Sequence, residues 1–164
     1  MQLTRRKEMQ DKRNFAFSIK HFFLPRNNHW FKRTILIFSF IFFDYLSTLV
    51  FCRVPCEEAN YYARNFMENF GIPLGLTLFV LLANMPIYIT LCLDSHIIKL
   101  PPKSAILIEA LVDLVFAWFI AGLHFSGGSS WFWRETDLTR QILGAFLYLL
   151  IAFLFIKPHK VRYS

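Results

Sequence analysis

Apolar positions along this chain do not alternate with polar ones. They gather into four long blocks at residues 34–52, 73–93, 105–125 and 139–156, with short polar stretches between them. Helices rise about 1.5 Å per residue, so each block is long enough to cross a hydrocarbon core about 30 Å thick. In lipid a spanning segment must satisfy its own backbone hydrogen bonds, and the period-two pattern of barrel strands is missing, so the blocks predict helices. The fold class that follows is all-α: an integral membrane four-helix bundle. The first block is too long for a signal-peptide core, starts only at residue 34, and has no small-x-small cleavage pattern after it. Composition agrees, since 55% of the 164 residues are hydrophobic against about 45–50% in soluble domains.

Charge then sets an expected orientation. Net charge is +7, and nine of the basic residues, from Arg5 to Arg33, precede the first block. Lys99 and Lys103 fall between the second and third blocks, and Lys157, Lys160 and Arg162 follow the fourth. The other loops carry fewer basic residues: Arg53 and Arg64 in one, Arg134 in the other, with Arg140 at the start of the fourth block. The positive-inside rule places both termini in the cytoplasm (N-in, C-in), and an even number of spans agrees. Orientation accounts for the basic N-terminus without nucleic acid as a partner. Within residues 13–24, Phe15, Ile19, Phe22 and Phe23 share one helical face, and Lys12, Arg13 and Lys20 are placed to meet anionic lipid head groups. This predicts a cytoplasmic interfacial amphipathic helix before Pro25, with Trp30 at the interface. Three parts result: a basic segment 1–33, the four-span domain 34–156 and a basic tail 157–164.

The outer loops offer less chemistry. A short helix is expected over residues 57–69 with Gly71 as its stop, and Tyr61, Tyr62, Phe66 and Phe70 make it amphipathic. Cys52 and Cys56 flank the start of this loop. A disulfide, a weak metal pair and two free thiols are the open readings, while Cys92 reads as packing. Gly127-Gly128-Ser129-Ser130 near His124 could hold a serine nucleophile, but the G-x-S-x-G pattern is incomplete and no strand leads into it. It reads as a flexible turn, with Trp131, Phe132 and Trp133 as an interfacial aromatic belt.

The candidate site lies inside the blocks. Asp44 sits in the first and Glu109 with Asp113, four residues apart, in the third; Asn84 and Tyr148 are central in the second and fourth. Counting helical rise from the flanking basic residues puts Asp44 and Asp113 at about 15–16 Å depth, with Thr48 one turn above Asp44. No Lys or Arg is expected at that depth. Two carboxylates in a low-dielectric site then call for a shared proton or a bound cation, with hard oxygen ligands suiting Na⁺, Ca²⁺ or Mg²⁺. Asp44 and Asp113 are the expected core of any metal site. His124, three turns beyond Asp113, is expected outside it. The bland alternative is polar glue between helices, worth about 0.6 kcal/mol per hydrogen bond.

The pattern Asp44-x-x-x-Thr48 followed by Glu58-Ala59-Asn60 resembles that of small prokaryotic membrane proteins of unknown function with about four helices and a D-x-x-x-T … E-A-N-P signature. Residue 61 departs from it, being tyrosine where that pattern has proline. The resemblance implies a cytoplasmic-membrane location and a loop in which Glu58 and Asn60 fold back over the outer mouth of the bundle. It implies no activity. Three functions remain in view. The first is an acidic intramembrane site binding or conducting a proton or small cation, built from Asp44, Thr48, Asn84, Glu109, Asp113, Tyr148, Glu58 and Asn60. The second is an accessory subunit of a membrane complex, with a membrane-protein partner or a second copy of the chain. The third is an intramembrane enzyme. No cofactor is required by the sequence.

Overall fold

The structure, a computed structural model, describes residues 28–97 and 102–156. The amphipathic helix expected over residues 13–24 and the basic tail lie outside the described residues, as do the side chains of Trp30, Cys92, Lys103 and Glu109. Every element among the described residues is helical. In chain order these are α1 (Asn28–Phe51), a 3-10 turn (Pro55–Glu57), α2 (Tyr61–Phe70), α3 (Ile72–Ile97), α4 (Pro102–Phe116), a π-helical segment (Ala117–Gly122), α5 (Leu123–Ser130) and α6 (Asp137–Phe155). α4, the π segment and α5 follow one another without a break. Four stretches are long and apolar enough to cross a membrane: Phe31–Phe51, Ile72–Leu91, Ala110–Ser130 and Asp137–Phe155.

Local chemistry sets the helix ends. Pro55 opens the 3-10 turn, and a proline pushes the residue before it out of helical geometry. Asn60 caps α2, its side-chain oxygen accepting from the backbone N–H of Tyr62 and Ala63. α2 therefore starts later than residue 57, and it ends at Gly71, whose φ of 79° suits glycine. Thr136 caps α6 in the same way through the N–H of Thr139. The third span runs on through Ser130, so Gly127-Gly128-Ser129-Ser130 is helix and not the expected turn.

α1 is the hub. It packs on α5 and the π segment, on α3 and on α6, while α3 leans chiefly on α1 and α2. The core joins Ile37, Phe40 and Ile41 of α1 to small residues of the third and fourth spans, including Ala117, Ala121 and Ala145. Small side chains are what lets helices approach where lipid provides no hydrophobic drive. Large apolar side chains face outward along all four spans, Phe153 at 81% exposure being the extreme; this is the inverse of a soluble surface and fits lipid contact. On α2 the face buried against the bundle is Ala63 and Met67, while Tyr61, Tyr62 and Phe70 are exposed.

Candidate functional site

Two polar clusters, not one, lie along the contact between α1 and the third span. At the first, the Arg33 guanidinium donates to Asp113 through Nε and Nη2, each at 2.6 Å, and the Tyr148 hydroxyl donates to the same carboxylate at 3.3 Å. At the second, His124 Nδ1 lies 2.8 Å from Asp44 Oδ2. The partners in each pair are 80 residues apart, so the two helices run parallel and in register. Arg33 and Asp44 are 11 residues apart, three helical turns, which puts them on one face about 16 Å apart.

This arrangement corrects the expected constellation. Asp113 does not join Asp44, and it does not lack a basic partner. α1 begins before Arg33, so that residue lies within the helix rather than ahead of it, and Asp113 falls in the first turn of its own membrane-length stretch. Depth counted from flanking charges failed because one of those charges was inside. Tyr148, fully buried, belongs with Asp113. His124, expected outside the site, is the partner of Asp44.

The Asp44–His124 pair opens into a cavity of about 740 Å³. Thr48, Asn84, Glu57, Glu58, Asn60 and Trp131 also line it. The structure thus brings Asp44, Thr48, Asn84, Glu58 and Asn60 to one cavity. Trp131 is more than an interfacial ring: its indole N–H donates to Thr48 Oγ1 at 3.1 Å. Asn84 turns its amide N–H onto Val80 O at 2.9 Å, which leaves its carbonyl oxygen for the cavity. With Asp44 ionised, Nδ1–H of His124 donates to it, and Nε2 is the nitrogen open to exchange. The π segment ends directly before this stretch of helix; such segments are rare and often mark functional sites.

The mouth is built by side chains bonding to backbone. Glu57 Oε2 accepts from the N–H of Arg53 at 2.7 Å, and Glu58 Oε1 accepts from the N–H of Asn60 at 2.8 Å. Arg64 donates to the Glu58 carbonyl through Nε and Nη2. Burial pushes the Glu58 carboxyl above its ordinary value of 4.5; the Asn60 N–H pulls against that rise, the charge of Asp44 adds to it, and Arg64 and the Ala59 N–H oppose it more weakly. A raised folded-state pKa gives stability that is present below the ordinary value and lost as pH climbs through the folded one. Thermal unfolding of the wild type should therefore lose a component of stability from about pH 4.5 upward. Glu58→Gln should remove that component. Superimposable pH–Tm curves for the two proteins would contradict the assignment.

Other readings find less support. Cys52 is buried and donates to Val54 O, Cys56 is exposed, and the two thiols are not joined. Burial raises the Cys52 thiol pKa, with nearby Glu57 and Glu58 adding to it, away from reactivity. Ser130 lines the cavity, but its hydroxyl donates to Gly127 O at 2.6 Å, and no hydrogen bond joins it to His124. Among the described residues no group of three or more His, Cys, Asp or Glu side chains is placed to hold a metal ion. Arg140 is the buried residue that sequence reasoning passed over. Its guanidinium donates to the carbonyls of Ser126, Trp133 and Glu135 and pairs with Asp137, tying the loop before α6 to the end of the third span. Compared with known proteins, the chain matches no family model, no curated protein and no solved structure.

Proposed function

We propose that this is an integral membrane protein, both termini cytoplasmic, whose outer-half cavity binds and exchanges a proton or a small cation at the Asp44–His124 pair. One observation carries the reading: the pair faces a cavity that also presents Glu57 and Glu58, with no Lys or Arg among the described residues that line it. Three carboxylates against one imidazole leave an excess of negative charge at the cavity, and Asp44 itself lies within a span, where charge is expensive. Protonating His124 Nε2, or admitting a cation beside Asp44, offsets that excess. Thr48 and the Asn84 carbonyl supply neutral oxygens at the same level, and Glu58 with Asn60 stands at the mouth. Asp113 and Tyr148 serve the Arg33 cluster in this reading, and Glu109 takes no assigned role.

Proton and cation answer the same charge, so they compete, and by linkage each must weaken the other. In detergent, Asp44→Asn and His124→Gln should each flatten the pH dependence of Tm that remains after Glu58→Gln. Stabilisation of the wild type by small monovalent cations should weaken as pH falls, because a proton and a cation compete for the same excess charge. If both variants keep the wild-type pH profile and cation response, the cavity is polar packing and the reading fails.

A further inference from the structure

An apolar groove of about 810 Å³ adjoins the polar cavity. It runs between α1 and α3, lined by Phe38, Phe42, Leu81 and Met85 among others, and the two spaces share Ile41, Tyr45, Val80 and Asn84 in their walls. Phe42, Leu81 and Met85 are more than half exposed, so the groove opens on the lipid side. At the outer end the Tyr45 hydroxyl meets Thr77 Oγ1 at 3.0 Å and ties α1 to α3. From Ile35 to Tyr45 the groove follows α1 for about 15 Å, about half the hydrocarbon thickness, the reach of one lipid chain. Its head end is the cavity that holds Asp44 and Glu58. Both spaces fall within the roughly 300–1,000 Å³ usual for small-molecule sites.

We infer that cavity and groove form one site, and that its occupant is a single-chain membrane amphiphile with a primary ammonium head. The inference rests on the reading of Asp44–His124 as a cation site and names the cation. The ammonium lies among Asp44, Glu58 and the Asn84 carbonyl, and the chain lies along Phe38, Phe42, Leu81 and Met85. Charge complementarity selects the head: the lining offers carboxylates and neutral oxygens and no basic side chain among the described residues. The adjoining walls select the chain, because a head group drawn to Asp44 leaves its tail beside the groove.

The test uses the full chain in phosphatidylcholine nanodiscs with nitroxide-labelled octadecylamine as probe, read by its immobilised spectral component. Unlabelled octadecylamine should displace the probe. Octadecanol and methylammonium at equal concentration should not. Asp44→Asn should weaken binding about tenfold or more, as expected when a desolvated charge loses its counter-charge. Leu81→Trp, with Met85→Trp as a second groove-filling variant, should weaken octadecylamine binding by a similar factor yet keep the pH-dependent Tm of the wild type. Equal displacement by octadecanol would mean ordinary lipid fills the groove, and equal displacement by methylammonium would mean the groove plays no part; either overturns the inference while the cation site survives. Full probe binding by Asp44→Asn, together with an unchanged pH response, removes the cation site itself.

Discussion

Asp113→Leu is expected to cost about 3–5 kcal/mol of stability, Arg33→Met less, and the double substitution much less than the sum of the two. The asymmetry follows from burial and chemistry. The Arg33 side chain is 2% exposed and that of Asp113 is 23% exposed. Losing Asp113 takes the bidentate carboxylate from a guanidinium that cannot shed its charge. Losing Arg33 leaves a carboxylate that can take up a proton and still hold the Tyr148 hydroxyl. Replacing both partners removes the buried charges together, which is often close to neutral. Unfolding in mixed micelles of denaturing and mild detergent gives the three differences, and the coupling energy from the cycle should be at least about 1 kcal/mol. Additive losses, with the double variant falling below Asp113→Leu by the full cost of Arg33→Met, would show that the pair is not energetically joined. Neither substitution should remove the pH response assigned to Asp44 and His124, which lie about 16 Å further along α1. That independence separates a structural lock from a binding site.

The four apolar blocks were legible because membrane length and hydropathy are properties of single segments. Asn60, Gly71 and Thr136 act through their immediate neighbours, and Gly71 could be read as a stop from the sequence alone. The pairing inside the bundle was not legible in the same way, because it is a property of two segments and their register. A signal existed all the same. Arg33 and Asp44 are separated by 11 residues, as are Asp113 and His124, and the order of charge is reversed between the two helices. Laying one parallel to the other gives both pairs at once. Treating Arg33 as a flanking charge hid this, as did requiring the acidic residues to answer each other. The Gly127-Gly128 step was misread for a related reason. Two glycines in sequence resemble a turn, and only the close approach of α1 explains why they are needed within a helix.

That close approach yields the other large effect. Alanine normally stabilises a helix interior by about 0.5–1 kcal/mol relative to glycine, so Gly127→Ala and Gly128→Ala would be stabilising if the third span were free. It is not free. A Cβ on Gly128 would lie 2.8 Å from Phe43 Cε1 and 2.9 Å from the Asp44 Cα, and the second of these is backbone that cannot swing aside. A Cβ on Gly127 would lie 2.8 Å from Asp44 Oδ1, a side-chain atom. The two substitutions should therefore fail differently. Gly128→Ala forces α1 and α5 apart and should lower stability by about 1–3 kcal/mol, the usual cost of overpacking. Because His124 is one turn before Gly128, the same displacement should stretch the 2.8 Å Asp44–His124 bond past useful range and flatten the pH response. Gly127→Ala should leave Tm closer to the wild type, because the Asp44 carboxylate can rotate away, but rotation breaks the pair and should abolish the pH response as fully as Asp44→Asn does. Measuring Tm against pH for both variants decides the matter. If Gly128→Ala is more stable than the wild type, the helices are not in contact there. If Gly127→Ala keeps the full pH response, the carboxylate is not held where the glycine makes room for it.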